Sequence, residues 1–268
     1  MMRHARGQRR GFALMLVLWL IVVLGAISAA VVVDVREATA LSGNARARAV
    51  GRYAAESGVV AVTAEIESRL AAIVDSLDRR SYLNGLDSRI SPRGETTLGE
   101  ATFAVALVDV SARLDVNSTD AEGLTRLFSF FGSPTDAAST AAAIRAYIER
   151  QPVTGVLPGQ STSGASALVA VRPLRSLDDL EAIPGVDLGL LRTAAPYLTV
   201  DGDGNINRAT ASDTVLAAAG GSLQDEPSRV LVVSRGWMRG HTLTHEIQAV
   251  YAIAENRLTL VRWRERDR

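Results

Sequence analysis

Residues 9–33 have the sequence RRGFALMLVLWLIVVLGAISAAVVV. From Phe12 to Val33 this stretch contains no charged residue, and Ser28 is its one polar residue. A helix needs about 20 such residues to cross a bilayer core about 30 Å thick. Four arginines precede the apolar run, and a short basic leader stays in the cytoplasm. We therefore expect one membrane-spanning helix over residues 12–33, with the rest of the chain on the far side of the membrane.

Four interpretations of this stretch compete. Ser28-Ala29-Ala30 offers a cleavage site for a secretory signal, but the apolar run is longer than the core of about 7–15 residues in such signals. A twin-arginine export signal fits Arg9-Arg10, again with a core that is too long. A plain membrane anchor is the third interpretation. The fourth is a type IV prepilin-like leader that is cut between Gly11 and Phe12. These residues alone leave the anchor and the prepilin-like leader open.

The composition excludes several classes of protein. The 268 residues include 29 Lys+Arg and 29 Asp+Glu, so there is no net charge to attract nucleic acid. The absence of cysteine excludes a disulfide framework, a thiol nucleophile and a thiolate metal site. The chain has neither a nucleophile elbow nor a Ser-x-x-Lys motif, and we expect no enzyme active site.

Periodicity predicts that the membrane helix continues and packs on a sheet. No proline occurs from Asp34 to about Leu77, and we expect a helix over residues 12–77 that its glycines bend or interrupt. Ala101–Val110 alternates as a strand does. The apolar face of the helix comprises Val59, Val62, Ile66, Leu70, Ile73 and Leu77. Later strands are predicted at Val230–Val233, His241–Ile253 and Leu258–Trp263.

Helical signals occupy the middle of the chain. Thr119 with Glu122 predicts a capping box before one helix, and Ser176 with Asp179 predicts a cap before another. Because strands flank these helices, the simplest topology is one domain of strands and a packed helix with a helical insertion. We place the sheet domain at residues 78–116 and 201–268 and the insertion at 117–200. Asn117 and Asn207 each precede a predicted helix that their side chains can cap.

Oxygen-bearing residues alternate with glycines just after the insertion. Asp201, Asp203 and Asn205 have the spacing of the first half of an EF-hand-like loop, and calcium takes six to eight oxygen ligands. Asp213 or the backbone carbonyl of Asn207 would complete the shell. The glycine and the closing glutamate of a full EF-hand loop are missing. The alternative is a turn rich in Asp, Asn and Gly that binds no ion.

Two further patterns suggest binding sites. Leu177–Ala194 resembles a helix–hairpin–helix, which binds DNA phosphates through backbone N–H groups, but Asp187 replaces the second glycine of the turn and would repel a phosphate. We expect two packed helices and no nucleic-acid binding there. His241 and His245 share a face of a predicted strand, but a third strong ligand is missing and we do not expect zinc.

In the order of these features the chain resembles the general secretion pathway protein K family, the minor pseudopilins of type II secretion. No single motif is specific, and the likeness covers nearly the whole chain after Gly11. It is carried by Gly11–Leu14, Trp19 in the apolar run, Ala45–Gly58, Leu114–Asn117, Pro173–Val200 and Gly204–Asn207.

The resemblance implies an α+β fold in which a long N-terminal helix, as in type IV pilins, packs on an antiparallel sheet with a large inserted all-α domain. It implies that residues 1–11 are a leader, and that prepilin peptidase cleaves after Gly11 and N-methylates Phe12. It implies a single-pass protein of the bacterial inner membrane with a periplasmic C-terminal domain. Its partners would be minor pseudopilins I and J, and it favours calcium at Asp201, Asp203 and Asn205.

One departure from the wider pilin pattern is informative. Most pilin-like proteins have Glu at the fifth mature position, where this chain has Leu16. That Glu is thought to neutralise the amino terminus of an adjacent subunit within the membrane, where an unpaired charge is costly. A subunit with no neighbour ahead of it has no such charge to pair. The leading hypothesis is therefore a non-enzymatic tip subunit that initiates pseudopilus assembly, and a membrane-anchored DNA receptor is the alternative.

Overall fold

The structure, a computed structural model, describes residues 8–87, 94–149 and 173–267, with side chains from residue 14 onward. Its helices are α1 (Gln8–Ala72), α2 (Ser76–Asn84), α3 (Ala121–Ser129), α4 (Pro134–Glu149), α5 (Leu188–Ala194) and α6 (Asp213–Ala218). Its strands are β1 (Glu95–Leu98), β2 (Ala101–Asp109), β3 (Leu114–Asp115), β4 (Leu198–Thr199), β5 (Ile206–Asn207), β6 (Leu223–Gln224), β7 (Arg229–Met238), β8 (Thr244–Ala254) and β9 (Arg257–Asp267). Short 3₁₀ turns lie at Val110–Ala112, Leu177–Ala182 and Ala195–Tyr197.

Helix α1 runs without interruption for 65 residues, although its glycines predicted a bend or a break. It ends at Ala72 rather than at the predicted Leu77. The Asp75 carboxylate accepts the backbone N–H groups of Leu77 and Asp78 and so begins the separate helix α2. Leu77 is therefore exposed, whereas the predicted face from Val59 to Leu70 is buried.

Five strands of the described chain form one antiparallel sheet in the order β1-β2-β7-β8-β9. Helix α1 packs on one face of this sheet, where every second residue of β2 is buried, as its alternation predicted. A tight turn at Glu255-Asn256 joins β8 to β9. The core between helix and sheet includes Val59, Val62, Ile66, Leu70, Phe103, Val105, Leu107, Val230, Val232, Ile247 and Ala249. The predicted α+β class, with a long helix on an antiparallel sheet, is confirmed.

Helix α1 and strand β7 approach each other so closely that only glycine fits. A Cβ atom on Gly236 would lie 2.2 Å from the carbonyl oxygen of Gly51 and 2.4 Å from the backbone nitrogen of Ala55. A Cβ atom on Gly58 would lie 2.3 Å from Oγ of Ser234. Both neighbours of Gly236 are backbone atoms, which cannot move aside as a flexible side chain can. Gly58 of α1 and Gly236 of β7 therefore belong to the packing surface between helix and sheet.

The insertion lies between two strands that are direct neighbours in the sheet. Strands β2 and β7 pair along their length, so residues 110–228 leave and re-enter the sheet between them. The insertion is longer than the predicted 117–200. Helix α6 packs on α3, and Ile206, Val215 and Ala218 share one buried core with Leu124 and Phe128. Besides its helices the insertion contains two short parallel strand pairs, β3 with β4 and β5 with β6.

The helix caps of the insertion differ in part from those predicted. Ser176 and Asp179 form the predicted capping box. The prediction of a capping box at Thr119 is wrong, because the Asp120 side chain caps α3 by accepting the N–H of Gly123. The predicted caps at Asn117 and Asn207 are also wrong. Their amides instead hold the chain together: Asn117 bonds the backbone of Leu174 on both its amide atoms and also donates to the carbonyl of Val200.

Asn207 belongs to a buried polar network at the base of the insertion. Its amide nitrogen donates to the Asp109 carboxylate at 2.8 Å and to Oδ1 of Asn84 at 2.9 Å. Asp109 also accepts the hydroxyl of Thr210 and the N–H of Ser111. Burial raises the pKa of Asp109, although these hydrogen bonds lower it in part. The network links α2, the end of β2 and the segment that follows β5.

We predict that Gly236→Ala destabilises the full-length protein in detergent by about 3 kcal/mol, because the new methyl group collides with backbone on α1. Gly43→Ala is the matched control. Gly43 lies in α1, with nothing within 4 Å of its Cβ position. Alanine at this position should therefore stabilise α1 by up to about 1 kcal/mol. Urea unfolding of both variants measures the two effects, and equal midpoints would contradict the close helix–sheet contact.

Asp109 gives a prediction about pH. Because folding raises its pKa, its contribution to stability is present below the ordinary carboxyl pKa and is lost as the pH rises through the raised value. Asp109→Asn removes this contribution. The variant should be less stable than the wild type, since its amide faces the donor of Asn207, but the deficit should shrink between about pH 4 and about pH 7. Urea midpoints at both pH values test this; a deficit that grows with pH would contradict it.

Candidate functional site

The apolar N-terminal part of α1 is a candidate membrane anchor. An 18-residue window of this helix has a mean hydropathy of 2.9, and none of its residues is buried inside the protein. Leu16, Trp19 and Val33 are each more than half exposed. The long apolar surface therefore has no protein partner within the described chain, which suits contact with lipid. Gly11 and Phe12 lie on the first turns of this helix, but their side chains and most of the predicted leader lie outside the described residues.

Arginine side chains bind the loop that was predicted to bind calcium. Asp201 is buried, and both of its carboxylate oxygens accept hydrogen bonds from arginines of β9. Arg264 donates from Nη2 to Oδ1 at 2.6 Å and from Nη1 to Oδ2 at 3.1 Å. Arg262 donates to Oδ1 at 2.7 Å. The same two arginines reach the backbone carbonyl of Arg175, so they connect the edge of the sheet to two segments of the insertion.

A third arginine donates hydrogen bonds to backbone carbonyl oxygens of the loop. Nη1 of Arg229 donates to the carbonyl of Asp201 at 2.8 Å and to the carbonyl of Gly202 at 2.6 Å. Its Nε lies 4.0 Å from the Asp203 carboxylate. Gly202 itself packs on Asp115, since a Cβ atom there would lie 2.5 Å from Cβ of Asp115. The loop is thus wrapped around a guanidinium group and pressed against β3.

The remaining predicted ligands do not converge on the loop. Oδ1 of Asp203 accepts the hydroxyl of Ser228 and the N–H of Asn205. The Asn207 side chain is fully buried in the network with Asp109. Asp213 is exposed at the start of α6. Across residues 8–87, 94–149 and 173–267, no group of three or more His, Asp or Glu side chains could hold a metal ion. The predicted ligand set therefore does not fit calcium.

The segment Leu177–Ala194, whose sequence resembles a helix–hairpin–helix, folds as a 3₁₀ turn followed by α5. A 3₁₀ turn leads through Gly185, which has φ of 89°, into α5. The Asp187 carboxylate caps α5 by accepting the N–H groups of Gly189 and Leu190. A carboxylate of the protein thus occupies the N–H groups at a position where a helix start can bind a phosphate.

The two histidines do not form a pair. The strand predicted from His241 begins only at Thr244, because Gly240 has φ of 81° and His241 lies in a turn. His245 is buried, with Nδ1 2.7 Å from the Asp267 carboxylate and Nε2 3.4 Å from that of Glu265. This cluster joins β8 to β9, and Arg52 of α1 lies 3.5 Å from Glu265.

The arginines around Asp201 are the functional residues that sequence reasoning missed. Arg262 and Arg264 lie in a charged tail that looks solvated, and Arg229 stands directly before the predicted strand Val230–Val233. One signal was available: Arg262 lies in the predicted strand Leu258–Trp263 and Arg264 follows its end, so a strand one residue longer places both side chains on one face. Nothing in the sequence indicated that this face meets Asp201, which is about sixty residues away along the chain.

A comparison with solved structures finds the same fold in a chain from the crystal structure of the GspK-GspI-GspJ complex of the enterotoxigenic Escherichia coli type 2 secretion system. The similarity covers 77% of this chain and 95% of that chain, with a TM-score of 0.50 and 14% sequence identity. No family model matches the sequence, and a search of the curated proteins finds no match. The likeness confirms the implied α+β fold with a long N-terminal helix on an antiparallel sheet, and at this identity it concerns the fold alone. The insertion is not all-α as implied, because it contains two short strand pairs.

Proposed function

We propose that this protein is a minor pseudopilin at the tip of a type II secretion pseudopilus, where it initiates assembly and supports protein export across the outer membrane. The observation that carries the proposal is the fold: an unbroken helix leads from an apolar segment onto an antiparallel sheet with a large insertion between two paired strands. A chain of the GspK-GspI-GspJ complex matches 77% of this chain over 95% of its own length. Minor pseudopilins I and J are the partners that this likeness supports.

The orientation in the membrane follows from the charges around α1. The arginines before the apolar run stay in the cytoplasm, and Asp34, Arg36 and Glu37 follow it directly. The sheet and the insertion then lie in the periplasm of a single-pass protein of the inner membrane. We infer a structural role for it, because its sequence has neither a nucleophile elbow nor a Ser-x-x-Lys motif.

Leu16 supports the position at the tip. An ionised carboxylate in the bilayer core costs a few kcal/mol unless a charge pairs with it. In a subunit below another, a carboxylate can pair with the amino terminus of the subunit ahead, whereas the first subunit has no neighbour ahead of it. Leu16 is exposed on the apolar part of α1 and carries no charge. The inserted domain adds bulk at the other end of the protein, where it obstructs a subunit stacking above.

The alternative, a DNA receptor, receives no support from the hairpin at Leu177–Ala194. Asp187 already satisfies the N–H groups at the start of α5. The segment around the turn is acidic, with Asp178, Asp179 and Glu181 exposed. Non-specific DNA binding requires basic side chains that release counterions from phosphates. Tight, salt-sensitive binding of duplex DNA in a gel-shift assay would reverse this preference.

We expect the full-length chain to purify in a complex with the minor pseudopilins I and J of the same organism when the three are produced together with prepilin peptidase. Native mass spectrometry should find one copy of this chain per complex, because a tip has room for one. Purification of the chain without either partner would contradict the proposal. Two copies in one complex would contradict the tip position.

A second prediction concerns processing. Gly11→Leu should leave the leader uncut, because the peptidase site requires a small residue before the cleaved bond, and Phe12 would no longer be the methylated N-terminus. Intact-mass and N-terminal peptide measurements report both changes. Gly25→Leu is the matched control: it places the same side chain on the apolar helix, where nothing lies within 4 Å of its Cβ position. A wild-type N-terminus in the Gly11→Leu protein would rule out the prepilin leader.

A further inference from the structure

Three guanidinium groups and three carboxylates meet where the insertion rests on the sheet. Arg262 and Arg264 of β9 bind the Asp201 carboxylate, and Arg229 of β7 lies between Asp203 and the backbone of the loop. The third carboxyl group is that of Asp115 on β3, which packs on Gly202; burial raises its pKa, and the charge of Arg229 lowers it in part. The positive charges that face the loop thus come from the protein's own strands.

The oxygens that a divalent cation would need are already used. Calcium requires six to eight oxygen ligands at about 2.3–2.6 Å. The two carboxylate oxygens of Asp201 and the carbonyls of residues 201 and 202 accept guanidinium hydrogen bonds of 2.6–3.1 Å. A calcium ion among them would add two positive charges beside three half-buried arginines. It would also take acceptors away from those arginines, which is costly for charges that water reaches only in part.

Arginine suits this position because its planar group donates in two directions at once. Arg264 binds both oxygens of Asp201 and also the carbonyl of Arg175. Arg229 spans two successive carbonyls of the loop. Each arginine side chain is about a quarter exposed or less, whereas Asp201 is 8% exposed, so solvent screens these contacts only in part.

We propose that Arg229, Arg262 and Arg264 form a clamp that takes the place of a divalent cation and fixes the insertion on β7 and β9, so that the protein folds and holds its shape without calcium. The clamp joins elements that are distant in the sequence. It holds the loop after β4 and the carbonyl before the 3₁₀ turn at Leu177–Ala182 against the sheet. This inference concerns the stability of the fold and stands apart from the proposed role in secretion.

The calcium arm of the test uses the full-length protein in detergent. Melting temperatures of the wild type and of Asp203→Asn are measured in excess calcium chloride and in EGTA. We expect the two proteins to respond equally to calcium, because Asp203 takes part in no calcium site. A calcium-dependent rise in the wild type that Asp203→Asn abolishes would overturn the proposal.

The arginine arm compares two positions on the same strand. Arg264→Gln should lower the melting temperature by about 10 °C, because it breaks a bidentate contact and leaves Asp201 buried with one partner. Arg266→Gln, two residues further on at an exposed position, should change it by no more than about 2 °C. Equal melting of the two variants would overturn the clamp. If Arg264→Gln does not fold, Arg264→Lys replaces it: lysine keeps the charge without the planar fork, so a melting temperature equal to wild type would likewise overturn the clamp.

Discussion

The contact between the backbones of α1 and β7 is the constraint on which the rest of the structure depends. At Gly51 and Gly236 the helix and the strand come closer than any side chain would allow. That approach seats the whole apolar face of α1 on β2, β7 and β8, and it sets the direction in which the apolar part of the helix leaves the sheet. The buried face then supplies the hydrophobic stabilisation, at roughly 1.5–3 kcal/mol for each large side chain removed from water.

The sequence predicted the large elements well, because their signals are periodic and local. The apolar N-terminal helix follows from the length of its apolar run, and the buried face of α1 and the alternation of β2 follow from spacing. Boundaries were less predictable. Strand β7 extends to Met238, although its apolar pattern stops at Val233. The pattern stops there because Ser234 and Gly236 face the helix, where only small residues fit. Asp120 and Asp75 cap helices that other residues nearby could have capped equally well.

The predicted calcium loop shows why sites are harder to predict than elements. A run of Asp, Asn and Gly indicates that oxygens will gather at a turn, but it does not indicate which cation meets them. In this chain the cations come from β7 and β9, and their approach depends on how the insertion folds back on the sheet. The polar junctions around Asp109 and Asp201 also separate two apolar cores, one under α1 and one inside the insertion. Each core is continuous within itself, and side-chain hydrogen bonds connect them.

The unbroken course of α1 has a mechanical consequence. At a rise of 1.5 Å per residue, its 65 residues extend for about 100 Å. The C-terminal half is fixed to the sheet by close packing, and no turn or loop divides it from the apolar half. A force applied along the axis at the apolar end is therefore carried to the sheet as through a push rod, without a joint to absorb it. The insertion, tied to β7 and β9, would travel with the head of that rod.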